Sequence, residues 1–378
     1  MVQKRVFVHV GSPKTGTTYL QGILWRNRQL LRQQGVTLPL RTIGEHFAGT
    51  FQVAGWTQKR PAPAWVAGAW DRLVESALSA DRDALITHEM YCRATEEQAQ
   101  KALAPLLASG REVHVIVTAR DLARQIPAAW QERVKVGGRM TFHSFSQYIR
   151  DPERHPQGAG FWRAQDTASL VRRWGSGLPP ENVHVVTVPP RGAAPDVLWQ
   201  RFSQVIGVDH RPFDLGKVVN ESLRAEQVEV ARRINVALGG RIHWPHPWSQ
   251  VVKSFYQSAL AGRPGTTITM GAEEHELARE RSSEIVLTLE QSGVDIVGSL
   301  DELRVPEAAE EPAGMPDRLD GNVLADEAAA AIAALLEARA GEYLAAEARR
   351  AETAAQSQTP YRRIRRRIGR MARRAGVW

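Results

Sequence analysis

The chain has a single cysteine in 378 residues, Cys92. One thiol cannot close an intrachain disulfide or supply a cysteine-based zinc site, and it points to a reducing compartment. No apolar run approaches the ~20 residues that cross a bilayer as a helix, so no transmembrane span is expected. The first apolar strand begins almost at Met1, which leaves no room for a signal peptide, and a cytoplasmic location is expected. Acidic residues are missing from positions 360–378, which hold eight arginines; the formal net charge of +8 therefore belongs to the tail, and residues 1–359 are neutral. What remains, 43% hydrophobic and 24% charged, has a globular composition with length enough for one large core and an appendage.

Strand-like and helix-like segments alternate. Strands are expected at 5–10, 84–87, 113–117 and 183–188, and helices at about 17–33, 65–80, 95–108, 121–136, 166–175 and 196–206. Residues 34–63 read as a variable segment, 137–160 as loop, and 220–300 as helical. This pattern predicts an α/β fold, a parallel central sheet flanked by helices, with a C-terminal helical extension. The expected division is a catalytic domain over 1–303, a linker rich in Pro, Glu and Gly over 304–321, an Ala/Glu-rich helix over 322–359 and a basic tail over 360–378.

The most informative stretch is Val6–Thr18, VFVHVGSPKTGTT. A buried strand runs into a turn bracketed by Gly11 and Gly16, and a helix opens at Thr17-Thr18. The first N–H groups of a helix have no internal partner and carry partial positive charge, so such a start attracts anions. Lys14 adds a full charge. The spacing of Gly11 and Gly16 matches a Walker A loop, G-x-x-x-x-G-K-[ST], but Thr17 stands where its lysine belongs. The lysine is displaced into the loop, and no later strand ends in an evident aspartate for magnesium. Metal-assisted ATP chemistry is disfavoured, and no metal is expected.

Gly11-Ser12-Pro13-Lys14-Thr15-Gly16-Thr17-Thr18 resembles the 5′-phosphosulfate loop of sulfotransferases that use 3′-phosphoadenosine 5′-phosphosulfate (PAPS). Val113–Val117 followed by Thr118-Ala119-Arg120-Asp121 is similar to that family's 3′-phosphate element. RDLARQIPAAWQERVK, TVPPRGAAPDVLWQRF and VNESL resemble actinobacterial members, and the likeness spans roughly residues 5–270. It implies a P-loop-like nucleotide-binding fold, a PAPS donor that leaves as adenosine 3′,5′-bisphosphate (PAP), and sulfonate transfer to a hydroxyl, less readily an amine, of a glycan, glycolipid or secondary metabolite.

The same resemblance implies residue roles. Lys14 would assist the leaving group, the rest of the loop would bind the 5′ group, and Arg120 would bind the 3′-phosphate. The family's usual serine eight residues later is Ala128 here, so Arg124 or Gln125 would replace it. Base candidates are His88 and Glu89, which end the strand 84–87, and Glu45 or His46 about thirty residues beyond Lys14. Trp130 would wall the acceptor pocket or sit in the core, Lys135 follows on the same helix, and Arg263-Pro264-Gly265 resembles a late basic loop over the nucleotide. His243-Trp244-Pro245 and His246-Pro247-Trp248 read as an aromatic packing corner. The competing readings are a P-loop kinase or NTPase and a non-catalytic, membrane-associated nucleotide-binding protein.

In the tail, Tyr361, Ile364, Ile368 and Met371 recur at helical spacing among the arginines, ahead of Trp378. That stripe suits a helix lying on an anionic inner membrane face. Nucleic acid is not expected as a partner, because no folded module for it is present.

Overall fold

The computed structural model describes residues 3–55, 64–216, 222–243, 247–307 and 314–374, with side chains as far as residue 354. Strand β1 (Arg5–Gly11) leads into α1 (Thr17–Arg26), α2 (Arg28–Gln33), β2 (Val36–Thr37), α3 (Ile43–Val53), α4 (Ala69–Ser79) and β3 (Asp83–Thr87). A 3₁₀ turn, Glu89–Arg93, precedes α5 (Glu96–Leu107), β4 (Glu112–Ala119) and α6 (Leu122–Lys135). Then come α7 (Phe142–Arg150), α8 (Pro156–Gln165), α9 (Thr167–Gly175), β5 (Val183–Thr187), α10 (Val197–Ile206) and α11 (Ala225–Leu238). The chain closes with α12 (Ala272–Glu290), β6 (Asp295–Val297) and α13 (Gly321–Arg374).

The fold is α/β, as the alternation predicts. The six described strands form one sheet in the order β2-β3-β1-β4-β5-β6, and every neighbouring pair is parallel. Such a sheet is covered on both faces, and alternate residues of β1 go to opposite cores. Val6, Val8 and Val10 pack with Leu103, Ile126 and Trp174, whereas Phe7 packs with Leu20, Leu24, Trp199 and Phe202. The chain leaves β1 towards β2 on one side and leaves β4 towards β5 on the other. Adjacent strands whose continuations diverge leave a crevice at their carboxyl ends.

Several segments differ from the sequence expectation. The helix expected over 17–33 breaks at Asn27, whose Nδ2 donates to the carbonyls of Ile23 (2.9 Å) and Asp214 (2.8 Å). The segment read as variable contains β2 and α3; the Glu45 carboxylate accepts the Arg41 and Thr42 amides (2.8 and 2.7 Å) and so caps α3. The 137–160 loop contains α7 and the start of α8. Phe142, Phe145 and Ile149 give α7 an apolar face that its Gly- and His-rich surroundings hide in sequence. β6 lies inside the stretch read as helical.

Either side of the undescribed 308–313, the expected linker is tied down. Val305 is buried, and Asp317 accepts the amides of Phe142 (3.2 Å) and His143 (2.6 Å). α13 is rooted by buried Leu324 and Ala331 and by Glu327, which pairs with Arg263 at 2.7 Å. The stripe Tyr361, Ile364, Ile368 and Met371 lies where side chains are not described, and Trp378 lies outside the described residues, as do Trp244, Pro245, His246 and part of VNESL.

Trp130, placed by sequence either at the pocket or in the core, is in the core: it is 1% exposed, donates Nε1–H to the Met140 carbonyl (3.0 Å) and meets Phe142 edge-on. Removing so large a buried side chain leaves a cavity, so Trp130→Ala is expected to cost about 3–5 kcal/mol in chemical denaturation. A loss under about 1 kcal/mol would contradict this placement.

Candidate functional site

β1 ends at Gly11, whose φ of +106° is open to glycine but not to a side chain. A Cβ there would also lie 2.7 Å from the Glu89 carbonyl oxygen, so glycine lets the loop and the 3₁₀ turn touch. Lys14 takes a left-handed φ of +70°, and Gly16, at +81°, caps α1 without any side-chain hydrogen bond. A lysine in that region costs about 1–2 kcal/mol, and such strain concentrates where a backbone must point its groups at a ligand. Left-handed residues flanking a helix start form a concavity of amides, suited to an anion.

A relay of buried side chains holds this loop from below. Thr87 Oγ1 lies 2.8 Å from His9 Nδ1, and His9 Nε2 lies 3.3 Å from Thr118 Oγ1. Thr118 Oγ1 lies 2.6 Å from Thr15 Oγ1, and Thr15 donates to the Ser12 carbonyl. Every donor and acceptor is matched when the Thr87 hydroxyl donates to Nδ1 and His9 carries its proton on Nε2. Burial, aided by the charge of His88, lowers His9 to about 3, so it is neutral as the relay requires. Ser12 is fixed from above: its hydroxyl donates to Ala164 O (2.6 Å) and Gln165 Oε1 (2.9 Å).

Two of the sequence candidates meet at this edge. Arg120, at the end of β4, donates Nη1–H to the Lys14 carbonyl (3.1 Å), while its Nε–H is buried with no partner among the described residues. Burial and then Arg124 lower Arg120 to about 10, which leaves it charged at neutral pH. Lys14 Nζ lies 2.7 Å from Glu132 Oε2, and Lys253 Nζ lies 3.3 Å from Glu132 Oε1. Burial works to raise the Glu132 carboxyl, but Lys14, Lys253 and Lys135 outweigh it and hold the group below the usual carboxylate range. Burial and the Lys14 charge lower Lys135.

Beside Lys14 opens a cavity of about 810 Å³. His88, Glu89 and Glu132 line it together with Phe47, Phe145 and Phe161. Strand alternation sets His88 and Glu89 on opposite faces; the structure brings both to the cavity because the strand stops at Thr87 and His88 caps a 3₁₀ turn. The Met90 amide donates to His88 Nδ1 (3.1 Å). A neutral His88 then carries its proton on Nε2 and presents no lone pair there. Glu89 Oε2 accepts from Gln21 (2.9 Å), and no hydrogen bond to Glu89 Oε1 occurs among the described residues.

Other candidates are placed elsewhere. His46 is buried, with Nε2 on the Pro39 carbonyl (2.8 Å) and Nδ1 accepting the Thr87 amide (3.1 Å); both nitrogens are committed to the fold, and burial lowers it to about 4. Glu45 is engaged as the cap of α3. Arg124 pairs with Asp121 and donates to the Pro189 (2.9 Å) and Val188 (3.3 Å) carbonyls, tying α6 to the end of β5. Gln125 donates to Gln165 and to the Ser12 hydroxyl, within the cluster that holds Ser12. Arg263 faces Glu327 of α13, and Gly265 abuts Glu226 and Arg224 at the start of α11. Trp130 and Lys135 are not among the cavity walls, and Trp248 is a packed core residue, 4% exposed. The Lys14–Glu132–Lys253 triad has no signal in sequence, since Lys253 lies 121 residues from its partner.

Among the described residues no group of three or more His, Cys, Asp or Glu converges to hold a metal ion, and no helix is long and apolar enough to cross a membrane. No protein-family profile and no curated protein matches the chain. Among solved structures it is similar to a crystal structure of a sulfotransferase from Alicyclobacillus acidocaldarius, with 15% identity and a TM-score of 0.39, covering 64% of this chain and 96% of that one. A likeness at that level neither names the chain nor assigns it a reaction.

His9 and His46 make the fold acid-sensitive. Each is protonated in the unfolded chain below about pH 6.5 but resists protonation when folded until about 3 and 4 respectively. Stability is therefore whole above pH 6.5 and falls as pH drops, by about 2 kcal/mol per histidine at pH 5. Denaturation midpoints in urea between pH 7.5 and 5 check this; a flat profile would refute the buried neutral histidines.

Proposed function

We propose that the chain is a PAPS-dependent sulfotransferase. The observation that carries this reading is the conformation of the loop: first-turn amides of α1, a left-handed Lys14 and a buried Arg120 bonded to the Lys14 carbonyl lie side by side at the crevice of β1 and β4. The residues present fit the donor. The loop amides and the Thr17 and Thr18 hydroxyls would hold its 5′ end, and the Arg120 fork would hold its 3′-phosphate. PAPS supplies the activated sulfonate. Lys14 places its ammonium where charge builds on the departing phosphate.

An acceptor hydroxyl needs a base within hydrogen-bond reach. Glu89 fits better than His88, because His88 Nδ1 is taken by the Met90 amide whereas Glu89 lines the cavity with an oxygen to spare. His88 Nε2–H then serves as a donor that orients the acceptor oxygen. Glu132, held ionised between two lysines, positions Lys14. An ATP-and-magnesium reading has less support, since Lys14 stands inside the loop rather than at the helix start. For the tail, we keep the proposal that residues 360–378 rest on an anionic membrane; deleting them is expected to abolish cosedimentation with phosphatidylserine-containing liposomes, and unchanged binding would refute it.

A thermal-shift comparison of PAP with ATP tests the donor site. PAP should raise the melting temperature, because a ligand bound only by the folded state stabilises it; a shift with ATP and none with PAP would overturn the reading. Lys14→Ala should lower sulfonate transfer at least 100-fold with PAP affinity changed far less, while Arg120→Ala should act mainly on the donor KM. A normal rate in Lys14→Ala would end the mechanism.

A further inference from the structure

The cavity beside Lys14 has an unbalanced charge. Lys14, Lys253, Arg93 and Arg133 line it against two acids, Glu89 and Glu132. Glu132 is shared by Lys14 and Lys253, and Glu89, held by the uncharged Gln21 amide, leaves the cavity with a positive excess. Arg93 and Arg133 have no carboxylate or carbonyl partner among the described residues. They are close enough that the Arg93 charge, after burial, lowers Arg133. Arg133 lies over the Phe145 ring at 5.7 Å. A guanidinium cannot shed its proton at neutral pH; Arg133 is partly buried and Arg93 reaches the cavity from its exposed rim, so the pair presents two positive charges to whatever the cavity takes. Phe47, Phe145 and Phe161 supply apolar walls.

The donor does not account for these arginines. The cavity is lined by Pro13 and Lys14 but by none of Thr15–Thr18 or Arg120, so Lys14 stands at the border between the phosphate-binding loop and the cavity. We propose that Arg93 and Arg133 form an anion subsite for the acceptor: the cavity takes an alcohol or phenol with an apolar body and a carboxylate or comparable anionic group. The hydroxyl faces Glu89 and Lys14, the body lies on the aromatic walls, and the anion sits in the two guanidinium forks. A volume of about 810 Å³ is in the range of sites for small organic ligands. A neutral glycan would leave both arginines unmatched. The word acceptor rests on the sulfotransferase reading; the anion subsite does not.

The test is titration calorimetry on the full chain, with and without saturating PAP, using two matched pairs: 3-(4-hydroxyphenyl)propionate against its amide, and 12-hydroxydodecanoate against 1,12-dodecanediol. In at least one pair the acid should bind at least tenfold more tightly than its neutral analogue. Arg93→Gln and Arg133→Gln should each reduce that preference at least fivefold, leaving affinity for the neutral analogue and for PAP within twofold of wild type. Equal affinities in both pairs, no binding by either acid, or a preference that survives both substitutions would overturn the subsite. Loss of PAP binding with the acid preference intact would sink the donor reading and spare this one.

Discussion

The parallel pairing of β1 with β4 is the constraint on which the rest of the site depends. It sets Thr118 beside the loop, where the Ser12 amide donates to the Thr118 carbonyl at 3.1 Å as the last rung between the two segments. From that rung the threonine–histidine relay fixes the underside of the loop, and Arg120, two residues on, reaches the Lys14 carbonyl from the side. Hydrophobic burial alone would pack the two strands without deciding how the loop ends them. The polar relay decides it, because a buried hydroxyl or imidazole left without a partner costs on the order of 1–3 kcal/mol.

Charge then divides the crevice into two regions. On the loop side positive charge comes from amides and Arg120, while the neighbouring Asp121 carboxylate is paired with Arg124. On the cavity side Lys14 and Lys253 share Glu132, while Arg93 and Arg133 have no carboxylate partner among the described residues. Lys14 belongs to both regions: its backbone shapes the loop and its ammonium lines the cavity. One residue thus joins the place where a nucleotide would sit to the place where a second molecule would sit.

Much of this was legible in the sequence. Buried β-branched runs announced β1, β3, β4 and β5, and the glycine-bracketed lysine announced the loop, because both signals are local. What was not legible is long-range or masked by composition. Three residues of β6 and two of β2 are too short for a period, and they are strands only because β5 and β3 lend them hydrogen bonds. α7 and α8 lie among Gly, His and Pro, yet Thr141 and Pro156 start them. His46 illustrates a limit of residue-type reasoning: a histidine at the right sequence distance is a fold-forming hydrogen bonder. Glu89 could be named from sequence but not ranked above His88, since the ranking turns on which amide reaches which ring nitrogen.

The C-terminal helix runs 54 residues, about 80 Å at ~1.5 Å per residue. Its described anchorage, Leu324, Glu327 and Ala331, occupies little more than the first three turns, and beyond it Leu335, Leu336, Tyr343 and Leu344 are exposed. The geometry is that of a mast stepped at its foot. A contact made at the far end of this helix would stand off from the β1–β4 crevice by the helix's own length, so that separation is set by α13 rather than by the α/β body.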